Sequence, residues 1–237
     1  PTYGSVRNLK NEGVSEEIIL LSGDTMYDAF LQHQDDMEES TIVEDFGLTE
    51  KVYATLTIHR PENADNLEKL AGIISAVADL KGLTIVFPVH PRTRRKLQDS
   101  SLTGVMRRAS NLSLTKPLGY YDMLNLMKNA AVVLTDSGGM QKEAFLLHVP
   151  CVTLRNTTEW TETVELGVNK LVGADKKLIL AETKKVLEDK GLRERLKSLP
   201  NPYGDGKASQ KIVEDLKDRF HSGRLTLGFG VSRGLRD

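Results

Sequence analysis

Ala130-Ala131-Val132-Val133-Leu134-Thr135-Asp136-Ser137-Gly138-Gly139-Met140-Gln141-Lys142-Glu143 is the stretch on which the fold turns. The apolar run Ala130–Leu134 reads as a short buried strand, Ser137-Gly138-Gly139 as a turn, and a helix starts there. Backbone N–H groups at a helix N-terminus point outward unpaired, and the helix dipole favours negative charge, so this junction makes an anion seat. The two glycines let a phosphate approach the main chain closely. Glu143 follows about one helical turn up, where a carboxylate can accept from sugar hydroxyls. The competing reading of the same residues is a plain strand-to-helix turn with Ser137 as N-cap.

Outward from this junction, short apolar runs alternate with helical periodicity. Strands are expected at 53–58, 84–89, 111–114, 131–134, 151–154 and 170–172. Helices are expected at 67–80, 93–97, 121–129, 141–147, 161–167 and 176–189. Leu67, Leu70, Ile73, Ile74 and Val77 share one face of the first of these. Strand–helix alternation with uninterrupted apolar strands predicts an α/β fold, a doubly wound parallel sheet covered on both faces. Before it, 5–17 reads as an amphipathic helix, Ile18-Ile19-Leu20-Leu21 as a strand and 26–33 as a helix. The expected organisation is 1–49 as the end of one domain and its hinge, and 50–200 as a Rossmann-like domain. A turn and a final crossover helix at 201–221 and a tail at 222–237 complete it. Pro1 and the missing leading strand suggest that the chain begins inside a longer protein.

Composition narrows the function class. A formal net charge of −1 argues against a broad nucleic-acid footprint, which needs a basic excess. Hydrophobic content of 39% with 27% charged residues reads as a soluble globular chain. Apolar runs fall far short of the roughly 20 residues that span a bilayer, so no membrane partner is expected. One cysteine, Cys151, cannot form an internal disulfide and reads as a buried small hydrophobe. These features fit the cytoplasm.

In a doubly wound sheet, ligands bind beyond the carboxyl ends of the strands. Polar residues cluster there: His59 and Arg60, then His90 and Arg92, then Ser137 to Glu143, then Arg155 with Glu159. Arg60 and Arg155 suit bidentate phosphate or carboxylate binding, or a surface salt bridge. His59 and His90 are either loop residues bonded to backbone or donors to a diphosphate and proton shuttles. With no Cys partners and no HExxH or HxH spacing, neither histidine reads as a zinc ligand, and no metal site is expected.

Five ordered motifs resemble the non-hydrolysing UDP-N-acetylglucosamine 2-epimerases. They are Gly23-Asp24-Thr25-Met26-Tyr27-Asp28-Ala29, Thr57-Ile58-His59-Arg60-Pro61-Glu62-Asn63 and Pro88-Val89-His90-Pro91-Arg92. The others are Thr135 to Ala144, continued by Leu154-Arg155-Asn156-Thr157-Thr158-Glu159-Trp160-Thr161-Glu162, and Asn201-Pro202-Tyr203-Gly204-Asp205-Gly206. Trp160 and Thr161 stand where the family more often has Arg-Pro. The likeness covers about residues 1–220.

The resemblance implies the Rossmann-like C-terminal half of a GT-B type fold, with a UDP-sugar as partner. Its reaction is inversion at C2 of UDP-N-acetylglucosamine by elimination and re-addition of UDP, with no cofactor. Carried over by position, His59 and Glu62 are the catalytic candidates. Arg60, His90, Ser137, Gly138, Gly139, Glu143, Arg155 and Glu159 are the substrate-binding candidates, and 117–123 flanks uracil. The family's proton-moving carboxylates lie mainly in the N-terminal domain, of which this chain matches only the end. A homodimer of the full-length protein is expected. The alternatives are a non-catalytic UDP-sugar-binding domain and a GT-B glycosyltransferase.

Overall fold

The structure, a computed structural model, describes residues 1–224. Its elements open with α1 (Tyr3–Asn11), α2 (Thr25–Gln32), α3 (Gln34–Glu38) and α4 (Ile42–Asp45). Then come β1 (Tyr53–Thr57), α5 (Pro61–Ala64), α6 (Leu67–Asp79), β2 (Thr84–Pro88), α7 (Pro91–Leu97) and α8 (Thr103–Arg108). They continue through β3 (Leu112–Thr115), α9 (Tyr120–Asn129), β4 (Val132–Thr135), α10 (Gly138–Leu146), β5 (Cys151–Thr153) and α11 (Thr161–Glu165). The last are β6 (Asn169–Leu171), α12 (Lys176–Glu188), α13 (Leu192–Lys197) and α14 (Ala208–His221). Two compact units emerge: Gln32–Asn201, and Pro1–Leu31 together with the segment from Pro202 onward.

The larger unit holds one six-stranded sheet in the order β3-β2-β1-β4-β5-β6. Every pairing is parallel, with Thr57 opposite Thr135 and Pro88 opposite Thr115 at the carboxyl ends. Strands buried on both faces need apolar residues throughout, and β4 is buried along its whole length. On one face Leu56, Ile73, Ile74, Ile85, Phe87 and Leu134 pack with α6 in the main core. On the other, Val133, Cys151, Met127, Met140 and Ala144 form a second cluster. Tyr53, Val86 and Leu126 build a third with Ile42 and Val43 of α4. The Cys151 thiol is fully buried and pushed up to about 12 by desolvation, so it packs as an inert small side chain.

The chain winds outward in both directions from β1 and β4. Adjacent strands whose connections leave on opposite sides open a crevice beyond their carboxyl ends. Open α/β sheets bind ligands at such a switch point, which here lies between β1 and β4.

In the smaller unit, α1 is capped by Thr2, whose hydroxyl accepts from the Ser5 N–H at 3.2 Å. It stops at Asn11 rather than running to 17, because Gly13 takes the left-handed conformation (φ +84°). Ile18–Leu21 is not a strand. Glu16–Ile18 forms a single 3-10 turn, and the residues after it pair with no strand among the described residues. A short apolar run becomes a strand only where a neighbouring edge accepts its backbone, and Ile18 and Leu20 stay exposed instead. Gly23 (φ +88°) brings the chain against the 201–206 turn, and the Asp24 N–H donates to the Tyr203 carbonyl at 2.9 Å. A Cβ on Gly23 would lie 2.9 Å from that carbonyl oxygen. The Asp28 carboxylate accepts from the Ala208 and Ser209 N–H groups that open α14. Burial works against its ionisation, but those two N–H groups outweigh it and hold the carboxyl below its usual range. Most of the tail expected at 222–237 lies outside the described residues, which end at Arg224.

Candidate functional site

The two histidines reach the crevice by the same local device. Pro61 and Pro91 occupy first-turn positions of α5 and α7, where the missing N–H costs nothing. A residue before proline is kept out of the helical region, and Arg60 and His90 are extended (ψ 136° and 140°). Each chain therefore leaves its strand straight, presents its histidine at the rim, and turns at once into a helix. The His59 and His90 rings face each other with centroids 6.5 Å apart.

At the end of β4, α10 starts at Gly138, three residues earlier than expected. The Ser137 hydroxyl accepts from the Met140 N–H at 3.4 Å as its N-cap. The plain-cap reading is thus true as far as it goes, and it sets a helix N-terminus at the switch point. Thr57 and Thr135, opposed across β1 and β4, bond hydroxyl to hydroxyl at 2.6 Å just beneath it.

Ion pairs join the loops after β1 and β5. Arg155 lies 2.7 Å from Glu159 and 3.7 Å from Glu62, and Arg60 lies 3.4 Å from Glu159. Arg155 is the most buried of the four, with a side chain 13% exposed. Burial disfavours the Glu159 carboxylate, yet its own backbone N–H, then Arg155 and Arg60, hold its pKa below the usual range. A Cβ built on Gly138 would run into the Glu159 carboxylate, with the Trp160 Nε1 3.3 Å away. Glu159 therefore stands over the helix N-terminus with its two arginines beside it. The Lys142 ammonium lies 4.1 Å above the Trp160 ring.

Glu143 sits in the second turn of α10 and is buried. Desolvation pushes its carboxyl up to about 7, against a partial opposing pull from Lys142. Tyr120, at the start of α9, lies within its field. The phenol is pushed up to about 12, first by burial and then by the Glu143 charge. Tyr120 of the 117–123 segment and Glu143 thus lie within electrostatic reach of each other.

His59, Glu62, Arg60, His90, Ser137, Gly138, Glu143, Arg155 and Glu159 all lie at the carboxyl ends of β1, β2, β4 and β5 or one helical turn beyond. Three further residues escaped the sequence-level reading. Asp136 is fully buried and accepts from the His59 and Arg60 N–H groups and from Asn63 Nδ2. Asn63 also donates to the Leu154 carbonyl at 2.9 Å, tying the β1, β4 and β5 loops together. Gln141, buried in α10, accepts from Thr158 at 2.6 Å and pins the Glu159 loop to the helix. A charged residue closing a run as apolar as β4 was the available signal for Asp136, because a buried carboxylate must find donors. Among the described residues, no group of three or more His, Cys, Asp or Glu is arranged to hold a metal ion. Nor is any helix among them long and apolar enough to cross a membrane.

The chain matches the family model described as UDP-N-acetylglucosamine 2-epimerase over residues 1–217. It is 42% identical to a UDP-N-acetylglucosamine 2-epimerase homolog of Methanococcus maripaludis, the match covering 92% of this chain and 59% of that protein. It is 35% identical to the UDP-2,3-diacetamido-2,3-dideoxy-D-glucuronate 2-epimerase of Pseudomonas aeruginosa, covering 91% and 58%. A solved Methanocaldococcus jannaschii UDP-GlcNAc 2-epimerase in complex with UDP-GlcNAc and UDP superposes with a TM-score of 0.82 at 38% identity. That superposition covers 92% of this chain and 60% of the other. The Staphylococcus aureus MnaA–UDP structure gives 0.77 at 30% identity, covering 96% and 61%. The chain thus spans about 60% of the length of the relatives it matches.

Proposed function

The chain belongs to the UDP-N-acetylglucosamine 2-epimerase family, and from that premise we propose that its switch-point crevice is the UDP-binding half of an epimerase acting on UDP-N-acetylglucosamine. The observation that carries this reading is the N-terminus of α10, where a carboxylate already sits over Gly138 held by Arg60 and Arg155, with Glu143 buried one turn up. In this reading the diphosphate takes the place that the Glu159 carboxylate now occupies over Gly138. Arg60 and Arg155, released from Glu159, turn to the phosphates. Glu143 accepts from the ribose hydroxyls, and 117–123 flanks the uracil.

The reaction needs UDP to leave with the C1–oxygen bonding pair while a base removes the C2 proton, producing a glycal. UDP then adds back at C1 and a proton returns to C2 from the opposite face. Fixed N–H dipoles and cationic side chains stabilise the charge growing on the departing diphosphate without reorganising, which is where this half contributes to rate. His59 and Glu62 stand at the rim as the groups nearest the chemistry. In this reading the carboxylates that move the C2 proton come from outside the matched length, which is about 60% of that of the relatives. The full-length protein is a cytoplasmic homodimer in this reading, which sedimentation of that protein tests.

UDP should raise the melting temperature of the chain, because a ligand bound only by the folded state stabilises it, by about 2.7 kcal/mol at one hundred times its dissociation constant. An unchanged melting temperature at millimolar UDP would sink the reading. The isolated chain should bind UDP without epimerising UDP-N-acetylglucosamine. Turnover by this polypeptide alone would place the essential carboxylates within it. A preference for the diacetamido uronic acid sugar over UDP-N-acetylglucosamine in the full-length protein would overturn the substrate assignment.

A further inference from the structure

The two rim histidines are both met at Nδ1, by partners that differ in kind. His59 Nδ1 lies 3.1 Å from Oδ1 of Asp136. That carboxylate is fully buried and accepts from three N–H donors: the His59 and Arg60 amides and Asn63 Nδ2. Two backbone N–H groups and a carboxamide NH2 group can only donate, so the carboxylate oxygens act as acceptors here. A lone pair on Nδ1 facing that oxygen would be repelled, whereas a proton there is attracted. His90 meets the opposite partner. Its Nδ1 accepts from the Arg92 N–H at 3.2 Å, and a backbone N–H cannot accept in return.

We propose that Asp136 is a positioning residue that holds the neutral His59 ring in the Nδ1–H form, so that Nε2 is offered to the site as an acceptor, while the Arg92 amide holds His90 in the Nε2–H form as a donor. Two chemically identical side chains at neighbouring strand ends thereby take complementary roles. His90 can donate to a phosphate or sugar oxygen with no net charge. The far edge of His59 can accept from a hydroxyl or take up a proton. When it does so, the imidazolium stays paired with Asp136, the familiar use of a buried carboxylate behind a histidine. The side chain of His59 is 40% exposed while that of Asp136 is sealed, so the reactive edge is open and the holding group is not. The assignment rests on the UDP-sugar reading for the identity of the ligand but not for the state of the rings.

Imidazole nitrogen NMR of the 15N-labelled chain tests it, with no ligand and at about pH 9, where histidines are neutral. Among the five histidines, His59 and His90 are assigned by the loss of their signals in His59→Asn and His90→Asn. His59 is expected to show a protonated Nδ1 and a bare Nε2, and His90 the reverse. In Asp136→Asn the carboxamide can offer its NH2 group to the ring, and the Nδ1–H preference of His59 is expected to fall while His90 is unchanged. A His59 ring in the Nε2–H form in the wild-type chain overturns the proposal, and that spectrum decides the question even if the variant does not fold. UDP added afterwards should shift both Nε2 signals. Should it move neither, the UDP reading fails while the positioning of His59 stands.

Discussion

Glu143 carries a sharp expectation at the scale of a single residue. Its carboxyl sits at about 7 instead of 4.5 because burial disfavours the charge. A carboxyl raised in the folded state contributes stability that is fully present below its unfolded value and is lost as pH rises through about 7. Glu143→Gln removes that loss. The unliganded variant should melt higher than wild type above neutral pH, by on the order of 3 kcal/mol at most. Binding runs the other way, since the ionised carboxylate is the better acceptor for ribose hydroxyls. Calorimetric titration should find UDP affinity in the wild type falling as pH drops below about 7. In the glutamine variant it should be weak and flat with pH, and an unchanged affinity at pH 8 would remove Glu143 from the site. Glu143 was legible as a candidate because its spacing from the glycines is local. Asp136 was not, because its donors come from residues more than 70 positions earlier and only the parallel pairing of β1 with β4 brings them to it.

At the scale of the element, the N-terminus of α10 separates binding from stability. A Cβ at Gly138 meets the Glu159 carboxylate, the far end of a flexible side chain 42% exposed at the surface, and that neighbour can swing away. Alanine is also the better helix former. Gly138→Ala should therefore leave the melting temperature within a few degrees of wild type. The same methyl fills the space a diphosphate needs, and UDP affinity should drop by more than about tenfold, or 1.4 kcal/mol. A variant that binds UDP as tightly as wild type would show that the phosphates sit elsewhere. The inner strands β1, β2, β4 and β5 were legible from apolar runs flanked by turn residues. Ile18–Leu21 carries the same local pattern and forms no strand, because period and composition say nothing about whether an edge is near to receive it.

At the scale of the whole molecule, the sheet and its main core lie entirely within Gln32–Asn201. A fragment of those residues should fold cooperatively and keep most of the UDP affinity of the full chain, as thermal melts with and without UDP would report. Loss of the fold in that fragment would show that the smaller unit is needed for the larger one. The sequence by itself determined the alternation of strands and helices, the helix that starts straight after β4, and the residues gathered at the strand ends. Each follows from local periodicity, turn chemistry or motif order, which need no knowledge of neighbours. Tertiary structure alone decided the strand order, and with it the switch point between β1 and β4. It also set the Glu159 carboxylate over Gly138 and the Asp136 carboxylate behind His59. Those contacts join residues far apart in the chain, and their energies exist only once the parallel sheet has closed water out from between them.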